Sequence, residues 1–220
     1  MNKVRVWDLP TRVFHWLLAA CAIGLAVTGM IGGGLMEWHF RLGYGMLSLL
    51  LFRLVWGVIG GRWSRFTSFL YSPASVLAYL RGRGQPEHSV GHNPLGAGSV
   101  FALLLFLCAQ VATGLMSDDE IAFAGPLTRF VSNATVSAAT SYHKGIGKYV
   151  LLALVALHLA AIAFHVWKKK HVLVRPMLHG DKQLPFVVES ARDSMGTRVL
   201  ALVIFGLCVG VAGWLSRLGT

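Results

Sequence analysis

Apolar residues in this chain gather into five long runs, at about 13–31, 42–61, 95–116, 146–167 and 198–215, separated by shorter polar stretches. A helix that crosses a bilayer needs about 20 predominantly apolar residues, because each residue advances only about 1.5 Å along the axis. Every run meets that length. Continuous apolar character, rather than a single apolar stripe, marks helices surrounded by hydrocarbon or by one another. The pattern therefore predicts an all-α integral membrane protein, with nothing of soluble-domain size between the spans. The connector from Gly61 to Pro94 is expected to carry a short amphipathic helix near Pro73–Arg81, followed by the turn-rich Gly-Arg-Gly-Gln-Pro.

Composition agrees with the hydropathy pattern. Of 220 residues 55% are hydrophobic and 13% charged, against about 25% charged in soluble domains. The net charge of +11 points to nucleic acid only until its distribution is seen. Lys3, Arg5 and Arg12 precede or open the first run; Arg62, Arg65, Arg81 and Arg83 follow the second; Lys168, Lys169, Lys170, Arg175 and Lys182 follow the fourth. If the spans alternate, these three segments share one side. The opposite side carries Glu37 and Arg41, and a third loop opening with Asp118, Asp119 and Glu120. The basic charge thus reads as membrane topology and attraction to anionic lipid, with the N-terminus cytoplasmic and the C-terminus periplasmic. The acidic triplet is either a docking face for a basic partner or the acidic counterpart of that topology.

Cysteine chemistry is not expected. Cys21, Cys108 and Cys208 each lie within a run, show no metal-ligand spacing and form no C-x-x-C-H. Leu18-Ala19-Ala20-Cys21 has the form of a lipoprotein cleavage signal. The apolar stretch before it is too short for a signal core, so the first span is expected to be retained as an anchor.

Histidine changes the picture, because ionisable residues within spans are rare and mark function. His15 lies about one turn inside the first run, His39 at the outer entrance of the second, and His143 and His158 on the stretch leading through the fourth. On one helix His143 and His158 would stand roughly 22 Å apart along the axis. Antiparallel spans then pair His15 with His158 toward the cytoplasm and His39 with His143 toward the outside. Two pairs at two levels suit two bis-histidine haems. Zinc or copper sites add cysteine, carboxylate or methionine ligands that do not converge in this sequence.

Other residues fit around that constellation. Gly43 and Gly45, within two turns of His39, leave room for a flat ring, and Arg12, Arg41 and Lys144 lie near the ligands in sequence as candidate propionate partners. Arg53, fourteen residues past His39, faces a propionate or a quinone site, or else snorkels or packs between helices. His88 and His92 in the connector read as solvated or capping residues rather than ligands. The third span, without an ionisable residue, and the fifth read as packing.

Val-Trp-Asp-Leu-Pro-Thr-Arg-Val-Phe-His-Trp, Met-Glu-Trp-His with an arginine fourteen residues on, Gly-His-Asn-Pro, Asp-Asp-Glu-Ile-Ala-Phe-Ala-Gly-Pro-Leu and the Ala-Leu-Val-Ala-Leu-His run followed by Val-Arg-Pro-Met together resemble the bacterial cytochrome b561 family. That family is related to the cytochrome b subunits of nickel–iron hydrogenase and formate dehydrogenase. The resemblance, over residues 4 to about 185, implies a four-helix transmembrane bundle holding two haems b through His15, His39, His143 and His158. It also implies electron transfer between the quinone pool and a redox partner such as a c-type cytochrome or a hydrogenase-like enzyme, in the bacterial inner membrane. Residues 1–185 are then the core and 186–220 an added C-terminal transmembrane helix.

His143 and His158 are fifteen residues apart, one more than the family's usual spacing. One residue turns a helix by about 100°, so an irregular helix entrance or differently oriented haems are expected, with His165 as the substitute ligand. The resemblance favours an electron-transfer subunit over a stand-alone enzyme. A quinone-linked oxidoreductase acting on superoxide at the outer face is the alternative, and a histidine-lined transporter a third class.

Overall fold

A computed structural model describes residues 2–219. Among them five helices are long and apolar enough to cross a membrane: α1 (Leu9–Ile31), α2 (Met36–Ile59), α4 (Pro94–Leu115), α6 (Ile146–Trp167) and α8 (Met195–Ser216). Between them lie α3 (Pro73–Leu80), α5 (Asn133–Lys144), α7 (Val174–His179) and two short strands, β1 (Asn2–Arg5) and β2 (Asp181–Leu184). The first two spans start earlier than their apolar runs, at Leu9 and Met36. The amphipathic helix of the connector is α3, capped by Ser72, whose hydroxyl accepts the Ser75 amide at 3.2 Å, with Pro73 as its first residue.

The chain forms two compact units. The first comprises Met1–Phe14, Arg53–Ala102 and Ala156–Leu202. It contains the three basic segments. Strand β1 pairs antiparallel with β2, Asn2 opposite Leu184 and Arg5 opposite Asp181. Val4, Val6, Trp7, Val90 and Leu184 close a small apolar core beneath this sheet, with Trp63, Met177, Phe186 and Val188 packed against it. Arg5 holds Asp181 at 2.6 Å and Asp193 at 2.7 Å. Lys182 donates to the Ser89 carbonyl.

The start of α1 explains its early onset. Asp8 is wholly buried and caps the helix, accepting the Thr11 amide at 2.8 Å. The same carboxylate accepts Gly61 N–H at 3.1 Å, Ser64 Oγ at 3.0 Å and Trp56 Nε1 at 3.3 Å. One acid thus ties the first turn of α1 to the last turn of α2 and the loop beyond it.

The second unit comprises His15–Phe52, Leu103–Val155 and Val203–Thr220. It holds the short turn between α1 and α2, the acidic third loop and the later part of α8. Asp119 Oδ1 accepts the amides of Ile121, Ala122 and Phe123 at 2.9–3.0 Å. Those donors, Phe123 first, hold its carboxyl down at about 2. Phe52 meets Phe205 edge-on at 6.0 Å, and Arg129 donates to the Leu218 carbonyl at 2.8 Å. The later part of the C-terminal helix is therefore packed into this unit.

Candidate functional site

Within the second unit His39 and His143 face each other. Their ring centroids are 6.1 Å apart and their planes stand at 83°. Each ring lies against a glycine of a neighbouring helix. A side-chain carbon on Gly29 of α1 would stand 2.8 Å from His39 Cε1, and one on Gly114 of α4 would stand 2.7 Å from His143 Cε1. Only a bare backbone admits the rings there.

Hydrogen bonds assign the tautomers. His143 Nδ1 is 2.8 Å from the backbone carbonyl of Gln110; a carbonyl only accepts, so Nδ1 carries the proton and Nε2 presents a lone pair. His39 Nδ1 is 3.1 Å from Thr28 Oγ1, whose own proton is directed to the Gly24 carbonyl at 2.7 Å. Nδ1 of His39 is therefore the donor as well, and its Nε2 is left bare. Partners of this kind fix the orientation of ligating histidines.

The entrance to the fourth span is irregular. Helix α5 ends at Lys144, Gly145 turns to φ −104°, ψ −115°, and α6 begins at Ile146. His143 thus sits on a separate short helix and not on one rod with His158, which corrects the single-helix expectation. The break absorbs the extra residue between the two histidines. Gln110 Nε2 donates to the His143 carbonyl at 2.9 Å, satisfying one of the groups that a helix end leaves without an intrahelical partner.

In the first unit His158 Nδ1 lies 3.4 Å from Ser99 Oγ. The third span thus does more than wall the protein: Ser99, Gln110 and Gly114 of α4 contact two of the four histidines. His15, in the second unit, is half-buried on α1 with its ring edge-on to Trp16 at 5.1 Å. His88 Nδ1 accepts the Gln85 amide at 3.2 Å in a capping box. His92 is half-buried, its ring 4.8 Å from Trp7 and 4.4 Å from Phe69. His165 pairs with His171, Nδ1 to Nδ1, at 3.3 Å.

Two of the four expected cations have unused buried donors. Arg53 is 4% exposed and lies over the Phe66 ring; its Nη1 has no hydrogen-bond partner among the described residues. Arg12 donates through Nη1 to the Leu178 carbonyl at 2.5 Å, and its buried Nε has no hydrogen-bond partner among them. Arg41 is engaged by Glu37 at 2.5 Å on an exposed face, and Lys144 is exposed. Thr28, Gly29, Ser99, Gln110 and Gly114 are the site residues that the hydropathy pattern did not single out.

Apolar spanning helices and one pair of half-buried histidines facing each other define a membrane protein with a candidate metal-cofactor site. Residues 6–180 match the family described as prokaryotic cytochrome b561, and the chain belongs to that family, an integral membrane helical bundle. Among its relatives is the probable Ni/Fe-hydrogenase 1 B-type cytochrome subunit of Escherichia coli (strain K12), 28% identical over 141 residues that cover 52% of this chain and 60% of that protein. The probable Ni/Fe-hydrogenase B-type cytochrome subunit of Bradyrhizobium diazoefficiens is 24% identical over 216 residues, 82% of this chain and 86% of that protein. The corresponding protein of Cupriavidus necator is 29% identical over 143 residues, covering 52% and 58%.

Family membership implies b-type haem, and the residues present fit it. Two metal–nitrogen bonds of about 2 Å plus the radii of the rings bring the centroids of a bis-imidazole pair to about 6 Å, and His39 and His143 stand 6.1 Å apart. No atom lies within 4 Å of where side chains on Gly43 and Gly45 would begin, so a ring has space one turn along from His39. Among the described residues no three His, Cys, Asp or Glu side chains converge. His39 and His143 offer b-type haem two imidazole nitrogens.

Proposed function

We propose that this protein is a di-haem cytochrome of the bacterial inner membrane, carrying electrons between the quinone pool and a redox partner. His39 and His143 ligate one haem b, and His15 and His158 the other. The observation that carries this is the His39–His143 pair, in which both Nδ1 atoms are engaged as donors and both Nε2 atoms remain for iron. The second pair rests on the depth argument from the sequence. Bound there, haem b supplies one-electron chemistry with both axial positions filled by protein.

The chain's own residues bind and tune. Arg53 and Arg12 supply buried cationic donors for propionates, while Arg41 and Lys144 contribute charge near the outer pair. The apolar walls exclude water. The clustering of basic residues in three of the segments flanking the spans supports a cytoplasmic N-terminus and a periplasmic C-terminus. The names of the relatives support a hydrogenase-like enzyme's electron-transfer subunit as the partner; a c-type cytochrome is the other candidate. A superoxide-oxidising role would need a cationic approach to the outer haem, and an ionised Asp119 beside Asp118 and Glu120 opposes one.

The test is a reduced-minus-oxidised visible spectrum with chemical haem quantitation on the purified membrane protein. Two haems per chain are expected, falling to one when any one of His15, His39, His143 or His158 is replaced by alanine. A colourless protein overturns the assignment in favour of a transporter. Two full haems in His143→Ala move that ligand role to another residue.

A further inference from the structure

The right angle between His39 and His143 is held by two separate locks. On one side the Thr28 hydroxyl receives His39 Nδ1–H at 3.1 Å while the ring rests on Gly29. On the other, Gln110 grips His143 twice: its backbone carbonyl receives Nδ1–H at 2.8 Å, and its side-chain amide donates to the His143 carbonyl at 2.9 Å. That carbonyl stands two residues before the break at Gly145. The side-chain bond therefore pins the backbone that carries the ring, and the main-chain bond pins the ring itself. The Gln110 Oε1 atom, buried and without a hydrogen-bond partner among the described residues, shows that the carboxamide is held by its donor end. The third span, read from sequence as packing, supplies this clamp.

We propose that Thr28 and Gln110 are positioning residues that hold the two imidazole planes perpendicular and so set the electronic structure and potential of the outer haem. The proposal rests on His39 and His143 being the axial ligands of one iron. The physical reason is orbital. An imidazole donates π density into the iron d orbital perpendicular to its own plane. Parallel rings load one of the two π-type d orbitals and split the pair; perpendicular rings load one each and leave them nearly degenerate. In the ferric low-spin state near-degeneracy produces one strongly shifted, large-g resonance in place of three well-spread ones. The Nδ1–H bonds also matter. Each strengthens its imidazole as a donor, which stabilises the ferric state and lowers the midpoint potential.

Electron paramagnetic resonance of the oxidised, detergent-purified protein tests this alongside the haem count. A large-g signal is expected in the wild type and is expected to vanish with one haem in His39→Ala. Thr28→Val, equal in shape but without the acceptor, is expected to keep two haems, shift or broaden that signal and raise the midpoint of the outer haem. Thr28→Ser is expected to restore both. Gln110→Leu provides the second arm, with two haems retained and the same signal altered. A wild-type spectrum with only well-spread signals overturns the proposal, as does an unchanged signal in both Thr28→Val and Gln110→Leu. In either case loss of the same single haem in His39→Ala and in His143→Ala would leave the ligand assignment standing. Loss of neither haem with those histidines would remove the assignment itself.

Discussion

The guanidinium of Arg53 lies 4.6 Å from the centroid of the Phe66 ring. A ring face attracts a cation but accepts no strong hydrogen bond, so it stabilises the charge while leaving the donor Nη1 available. An unused cationic donor in so buried a place is costly unless an anion meets it. For Arg53→Gln we expect two haems and an unchanged visible spectrum, with the midpoint of one haem falling because a nearby positive charge no longer favours the reduced form. Redox titration of the haem absorbance checks this. Unchanged midpoints would return Arg53 to the packing or snorkelling role.

Asp8 has a different task from Arg53. Its carboxylate serves four donors at once: the amides of Thr11 and Gly61, the Ser64 hydroxyl and the Trp56 indole. Asp8→Ala removes a helix cap, worth about 1 kcal/mol, and strands further buried donors at about 1–3 kcal/mol each. We expect a loss of at least about 4 kcal/mol, read as a lower thermal midpoint in detergent, with haem ligands unaltered. Ser64→Ala, which removes one of those donors and also the acceptor of the Thr11 hydroxyl at 2.7 Å, should cost less, about 1–3 kcal/mol by the same measurement.

Gly29 and Gly114 give a sharper local test. At 2.8 and 2.7 Å from the two imidazoles, an added methyl cannot fit without moving the ring it meets. Gly29→Ala and Gly114→Ala should each lower the haem count from two to about one and remove the outer haem's spectral contribution. Gly98→Ala on α4, where no atom lies within 4 Å of the added carbon, should leave the count unchanged.

The five spans were legible because hydropathy over 20 residues is a strong signal, and the four histidines because they interrupt it. The start of α1 was not. Trp7, Asp8 and Pro10 lower the local hydropathy, whereas Asp8 is in fact buried as the cap. The break at Gly145 showed only as one residue too many between His143 and His158. Gln110 is uncharged and leaves the third span without an ionisable residue; a lone carboxamide among apolar residues was the available signal, since such groups hydrogen-bond across helices. The β1–β2 pairing joins four-residue strands near opposite ends of the chain, too short for alternation to stand out.

The small sheet also carries a pH-dependent element outside the spans. Burial pushes the Asp193 carboxyl up, but it is outweighed by hydrogen bonds from Arg198 and the Leu9 amide and by the charges of Arg198 and Arg5, so the group ends below its ordinary value. A carboxyl depressed on folding stabilises the native state at pH values above the unfolded value of about 3.9, and that contribution disappears as pH falls through the lower folded value. Asp193→Asn should therefore lower the unfolding temperature relative to wild type by a constant amount from neutral pH down to about 5. The gap should close as the pH drops further, because protonation removes the same charge from the wild type. Parallel unfolding curves of the two proteins across that range measure it, and a gap that persists undiminished at the acid end would show that Asp193 acts through shape rather than charge.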